Sequence, residues 1–243
     1  MPNSPQKIGI IESVLLFLIP GILFWIHLNW TVPLITNVFQ LSVYAAWLII
    51  GSFLLFFPIF ILAIVLMKMD GYSLDWTTIF KRLRIKKVTK SDWLWIVLGL
   101  LVTFSIVGVI IFMLVVLPLG INISELKEIS PIEAQQLMGN ERFFLVLLPF
   151  LFFFNYVGEE ILWRGYILPR QEVSYGKYAW VINGVLHGVF HLPFGMLTHI
   201  IAIPIYLLIP FITYKTKNTT TAIIIHFLLG APMQILLALG ILL

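Results

Sequence analysis

The sequence predicts an all-α protein, a polytopic transmembrane helical bundle of about seven spans (six to eight). Three observations carry that prediction. Hydrophobic residues make up 60% of the 243-residue chain and charged residues 11%, against about a quarter charged in a soluble domain. The apolar stretches reach the length of about 20 residues that a helix needs to cross a bilayer. They are continuous rather than alternating, which selects helices over a β-barrel. The chain has no cysteine, which excludes disulfides, thiolate metal sites and a cysteine nucleophile.

The first span runs from Ile8 or Ser13 to Trp30, with Pro20 and Gly21 placed to bend it. Lys7 alone precedes it and no small-residue cleavage pattern follows, so it reads as a retained helix rather than a signal peptide. The second runs from Leu41 to Met67. Between Lys68 and Asp92 lie Lys68, Lys81, Arg82, Arg84, Lys86, Lys87 and Lys90. The net charge of +4 is concentrated there, so it speaks to topology and not to nucleic acid: the excess of bases marks a cytoplasmic loop. Trp76, Ile79, Phe80, Leu83 and Ile85 alternate with the bases, as in a segment lying on the membrane surface.

The third span runs from Trp93 to Leu119. The connection that follows, Gly120 to Arg142, sets Glu125, Glu128, Glu133 and Glu141 against Lys127 and Arg142, as suits the opposite side. The fourth span starts at Phe143 and ends in Glu159-Glu160. Arg164, Arg170 and Lys177 mark the cytoplasmic return. The fifth runs from Tyr178 to Pro193, the sixth from Thr198 to Tyr214, and the seventh from Thr219 to the C-terminus. Seven spans put the N-terminus in the cytoplasm and every basic cluster on that side. No internal repeat or second domain is visible, and residues 1–243 read as one integral membrane domain.

The stretch Gly158-Glu159-Glu160-Ile161-Leu162-Trp163-Arg164 stands out at the end of an almost unbroken apolar run. A charge in the bilayer costs a few kcal/mol or more and is normally paired or functional. On a helix, Glu160 and Arg164 are i and i+4 and share a face, where they can pair. Glu159 points about 100° away, free for chemistry. The plainer alternative is two interfacial carboxylates ending a helix.

Of five histidines, His187 and His191 lie i, i+4 on the fifth span. His226 lies near the cytoplasmic end of the seventh. His27 and His199 read as interfacial. The fourth, fifth and seventh spans can thus bring Glu159, Glu160, His191 and His226 to one cytoplasm-facing cavity. Such a set supports hydrolysis. A carboxylate takes a proton from water, a histidine orients that water, and a second histidine donates to the oxyanion formed on the scissile carbonyl. Metal is the rival: His187, His191, His226 and Glu159 offer ligands for zinc. Gly188 stands where a zinc-protease helix carries its glutamate.

At these residues the chain resembles the CPBP family, the CAAX-protease and bacteriocin-processing intramembrane endopeptidases, also called the Abi family. Glu159, Glu160 and Arg164 match its EExxxR motif, His191 the histidine of FxxxH, and His226 the histidine of HxxxN or HxxxD. Residues 143–235 form the CPBP-like core. His187 replaces the phenylalanine of the second motif, and Gly230 the asparagine or aspartate of the third. The resemblance implies a peptidase in which Glu159 and His191 activate water, His226 holds the oxyanion, and Glu160 with Arg164 shapes the site. His187 and Gly230 are the departures that bear on its geometry. Eukaryotic members remove the last three residues of prenylated CAAX proteins. Bacterial ones include relatives tied to peptide maturation and bacteriocin immunity, and this chain looks like a member of the bacterial cell membrane.

The expected partners are membrane lipids and a peptide or protein substrate, with no nucleic acid and no required cofactor. Two other functions stay open: a catalytically degenerate membrane binder or immunity protein, and a proton-coupled transporter. The lack of repeated halves weighs against the transporter.

Overall fold

The computed structural model describes residues 5–113, 117 and 136–241. Among the described residues every regular element is helical and no strand occurs. Among these residues six helical runs are long and apolar enough to cross a membrane, which makes this a multi-pass helical membrane protein. Helix α1 is Ile10–Phe39 and α2 is Val43–Met69. A short helix, α3, covers Trp76–Arg82, and α4 is Lys90–Ile111. The next run is 56 residues long, Gly139–Phe194. It doubles back at Gly176, whose φ of 55° lies in the region glycine enters without a Cβ clash. The reversal is fixed by Asn183, whose Nδ2 donates to the Trp163 carbonyl at 3.0 Å and to Gln171 Oε1 at 2.9 Å. In a straight helix residues 163 and 183 would be about 30 Å apart. The arms are α5, residues 139–175, and α6, Ala179–His191. Helices α7, Met196–Thr216, and α8, Thr219–Ala238, complete the bundle.

The expected fourth and fifth spans are therefore the two arms of one helical run, and the six runs found among the described residues fall within the expected six to eight. Two boundaries also differ. Helix α1 continues past Trp30 to Phe39. Helix α5 does not stop at Glu159-Glu160 but carries the pair in its interior, because partners on neighbouring helices satisfy both carboxylates there. The end of the third span and the acidic residues Glu125, Glu128 and Glu133, with Lys127, lie outside the described residues. Glu141 is described, and it ties the α5 start to α2 by accepting from Ser42 N and Oγ at 2.6 and 2.7 Å.

Several helices widen locally into π turns. Three of these, at His27–Thr31, Gly51–Phe56 and Ile161–Ile167, end two residues before Pro33, Pro58 and Pro169. A proline has no N–H to give and its ring crowds the carbonyl four residues back. A wider turn moves that carbonyl aside. The π turn at Phe153–Gly158 has no proline after it and abuts the two glutamates, a placement common at functional sites.

Two apolar clusters hold the bundle. One gathers Phe17, Phe24, Trp47, Phe56, Leu151, Trp163 and Phe190 from α1, α2, α5 and α6. The other gathers Ile96, Ile209, Ile212, Ala222 and Ile225 from α4, α7 and α8. Large apolar side chains such as Ile11, Ile19, Leu94, Leu101 and Phe104 are exposed on α1 and α4, where lipid rather than water covers them. The basic loops gather at one end. Arg84 makes a bidentate pair with Glu172 at 2.8 and 2.9 Å, and Lys217 reaches the same carboxylate at 2.8 Å. Arg170 pairs with Asp70. The loop from Lys68 to Asp92 is half anchored: Leu83 is buried and its carbonyl accepts from Thr219 Oγ1 at 2.6 Å, while Trp76 and Phe80 stay exposed on α3.

Candidate active site

Helix α5 brings two carboxylates into the bundle on adjacent residues, and their partners diverge as the helical rotation of about 100° requires. Glu160 and Arg164 pair at 3.1 Å, both wholly buried. The same Glu160 oxygen, Oε1, accepts from His226 Nδ1 of α8 at 2.9 Å. Glu159 turns toward α6. Its Oε2 lies 3.1 Å from His187 Nε2 and 3.7 Å from His191 Nε2. It also accepts from Trp163 Nε1 at 3.2 Å, one helical turn on. His187 Nε2 and His191 Nε2 are 3.2 Å apart. Glu159, Glu160, Arg164, His187, His191 and His226 therefore form one buried network.

Its proton arrangement follows from Arg164. The guanidinium can only donate, and its Nη2 lies 2.9 Å from His187 Nδ1. That nitrogen must therefore be the acceptor, and the ring proton sits on Nε2, where it points to Glu159. A flipped ring would set carbon against both partners, so the orientation is determined. His226 donates from Nδ1 to a carboxylate, which leaves its Nε2 for another role. Glu159 Oε1, Glu160 Oε2 and His191 Nδ1 have no hydrogen-bond partner among the described residues.

Aromatic rings hold the histidines. His191 is sandwiched between Tyr206 of α7 and Phe194, with centroids at 5.3 and 5.5 Å and planes within 7° and 17°. Phe17 of α1 stacks on Trp163 at 4.3 Å. The side chains of His191 and His226 are 12% and 13% exposed, whereas Glu159 and Glu160 are fully buried, so access runs past the two histidines.

Glu159, His187 and His191 offer donor atoms within 4.8 Å of one another, the span a metal ion would need. Four ligands at the zinc distance of about 2.0–2.1 Å would be about 3.4 Å apart, close to the separations here. The hydrogen bonding does not fit. To ligate through Nε2, His187 must carry its proton on Nδ1, and Nδ1 faces an arginine N–H at 2.9 Å. Two donors would oppose each other, beside a fixed positive charge. His226 is committed to Glu160 and stands outside the set.

The remaining sequence candidates fall as follows. His199 packs against Tyr206 at 5.3 Å and makes no contact with the glutamates. His27 bonds Thr31 Oγ1 and the Leu54 carbonyl, away from the site. Gly230 lies on α8 one turn beyond His226, against the ring of Tyr156. Trp163 escaped the reading of the sequence, although its i, i+4 spacing from Glu159 was a usable signal. Tyr156 and Tyr206 gave no such signal for their contacts with the histidines, because those contacts join different helices.

Residues 141–231 match the family model described as Type II CAAX prenyl endopeptidase Rce1-like. That segment contains both glutamates, Arg164, the three site histidines and Gly230, and the match lies in the CPBP/CAAX protease family that the motifs resemble. No curated protein and no solved structure matches the chain.

Proposed function

We propose that the chain is an intramembrane endopeptidase that hydrolyses a peptide bond of a membrane-associated peptide or protein near the cytoplasmic face. The reading rests on one observation. Inside the segment similar to CAAX prenyl endopeptidases, a carboxylate with one oxygen unpartnered lies beside a partly exposed histidine, and both are enclosed by apolar rings.

In this reading Glu159 is the base. His187 donates to Oε2 and holds the carboxylate still, which leaves Oε1 to take a proton from water placed by His191. The water oxygen bonds to the scissile carbonyl carbon, and the carbonyl pair moves onto oxygen. His226 stabilises that oxyanion. Its Nδ1–H is held by Glu160, so the donor to the oxyanion is the other ring nitrogen, Nε2, which carries the second ring proton in this reading. The C–N bond then breaks and the amine leaves with the proton from Glu159. Glu160 and Arg164 orient His226 and His187 without meeting the substrate. No metal is needed, in keeping with the proton on His187 Nε2. The basic loops that gather about Glu172 support a cytoplasmic face at that end, with the N-terminus on the same side of a cell membrane.

The test is cleavage of quenched peptides ending in a CAAX sequence, farnesylated and unmodified, by purified protein in lipid nanodiscs. Glu159→Gln, nearly isosteric, is expected to lower kcat at least about a thousandfold, the scale of losing a general base or more. Equal activity in wild type and Glu159→Gln would refute the assignment. A non-catalytic binder is the second reading, and Gly230 is the observation that favours it. It predicts tight binding of the same peptides with no turnover.

A further inference from the structure

Tyr156 lies on α5 one turn before Glu160 and is 1% exposed. Its ring stands edge-on to His226, with centroids 4.9 Å apart and planes at 80°. Its hydroxyl oxygen accepts from Gln234 Nε2 at 3.1 Å. Gln234 Oε1 has no partner of its own among the described residues, and with the side-chain amide turned over it accepts from the phenol, so Gln234 is the neutral partner of the hydroxyl. The position of the oxygen is the telling feature. A Cβ on residue 230 would lie 2.5 Å from Tyr156 Oη and 2.8 Å from Cε1. The hydroxyl thus occupies the volume in which any side chain at 230 would begin, one helical turn from His226. Gly230 is what allows it there.

We infer that Tyr156 is a further catalytic residue, whose hydroxyl is a second hydrogen-bond donor to the oxyanion beside His226. This rests on the peptidase reading above. The phenol keeps its proton throughout. When the water oxygen bonds to carbon and the carbonyl pair moves to oxygen, Tyr156 O–H donates to that oxygen. On collapse it releases it, while the amine leaves with the proton that Glu159 took. The phenol then exchanges its neutral partner Gln234 for the substrate oxygen, and the bond strengthens as negative charge develops. His187, the other polar residue at a departure from the family pattern, cannot fill this role. Both of its ring nitrogens are engaged by Arg164, Glu159 and His191.

The deciding experiment uses the farnesylated quenched peptide and full-length protein in nanodiscs. Tyr156→Phe keeps the ring and removes only the oxygen. It is expected to lower kcat about 100-fold, the scale of one oxyanion donor, with KM within threefold. Binding of a phosphinate analogue of the scissile bond should weaken by a similar factor, while binding of the matching reduced-amide peptide stays unchanged. A merely structural tyrosine would not separate those two ligands. A second variant guards against a folding defect. Tyr156→Leu/Gly230→Asn opens room for an amide donor at 230 and should be at least tenfold faster than Tyr156→Leu alone. A kcat within twofold of wild type in Tyr156→Phe, with Glu159→Gln inactive, overturns the assignment and leaves the peptidase reading standing. No cleavage by wild type overturns both.

Discussion

Glu160 and Glu172 each bind two basic side chains, and the comparison between them separates two uses of the same chemistry. Glu160 holds Arg164 and His226 in the middle of the bundle, with both members of the arginine pair wholly buried. Glu172 holds Arg84 and Lys217 at the basic end, where Lys217 is 41% exposed. At the end, water screens each charge and can replace a lost partner, so the cluster is a clasp between α5 and two loops. In the interior nothing replaces a partner, so each group constrains the next. The charge of Arg164 sets the tautomer of His187, which sets the donor to Glu159. Burial turns a set of ion pairs into a single proton arrangement.

The largest effect is expected at Arg164. Arg164→Met strands Glu160 in the bundle with only His226, and losing one member of a buried pair costs about 3–5 kcal/mol. Thermal unfolding in detergent should show that loss, and a variant within about 1 kcal/mol of wild type would dissolve the contrast between the regions. His187→Phe comes next. It removes the donor to Glu159 and leaves Arg164 Nη2 unpaired, a cost of about 1–3 kcal/mol, and frees Glu159 to reorient. We expect roughly a tenfold fall in kcat, together with a shift in its pH profile, since the neighbour that holds the carboxylate is gone.

Glu172→Gln should be milder, at or below about 1 kcal/mol, and the difference from wild type should shrink in high salt, as for partly exposed pairs. A salt-independent loss as large as that of Arg164→Met would merge the two regions. The smallest effect concerns α3, beyond the spans. Asp75 caps this helix by accepting from Thr78 N at 3.0 Å. Hydrogen bonds from the Ser73 and Thr78 hydroxyls and the Thr78 amide lower its pKa from 3.8 to about 2. A lowered carboxylate pKa means that the cap contributes fully above 3.8 and is lost as pH falls through about 2. Amide exchange at Thr78 should quicken over that window, and Asp75→Ala should show the fast rate at neutral pH.

Much of the site was legible along the chain. The Glu160–Arg164 pair follows from i, i+4 geometry, and the divergence of Glu159 from Glu160 from helical rotation. The same logic gave His187 and His191 a common face. What the chain order concealed is how the faces meet. His187, a candidate metal ligand by its spacing, also meets Arg164 from another arm, a contact that chain order does not show. The expected end of the fourth span failed because the cost of burying Glu159-Glu160 was judged without partners that come from α6 and α8. Gly230 appeared as a loss in sequence, and only the packing of α5 on α8 shows that Tyr156 fills the vacated space.

The sequence alone determined what short-range physics determines: the helices, their membrane environment, and pairs one turn apart. The tertiary structure alone decided the reversal at Gly176, the convergence of α5, α6 and α8, and which nitrogen of each histidine faces which neighbour. Helical periodicity fixes contacts within a helix to a few ångströms, whereas contacts between helices depend on crossing angle and rotation, which the packing of the whole bundle sets.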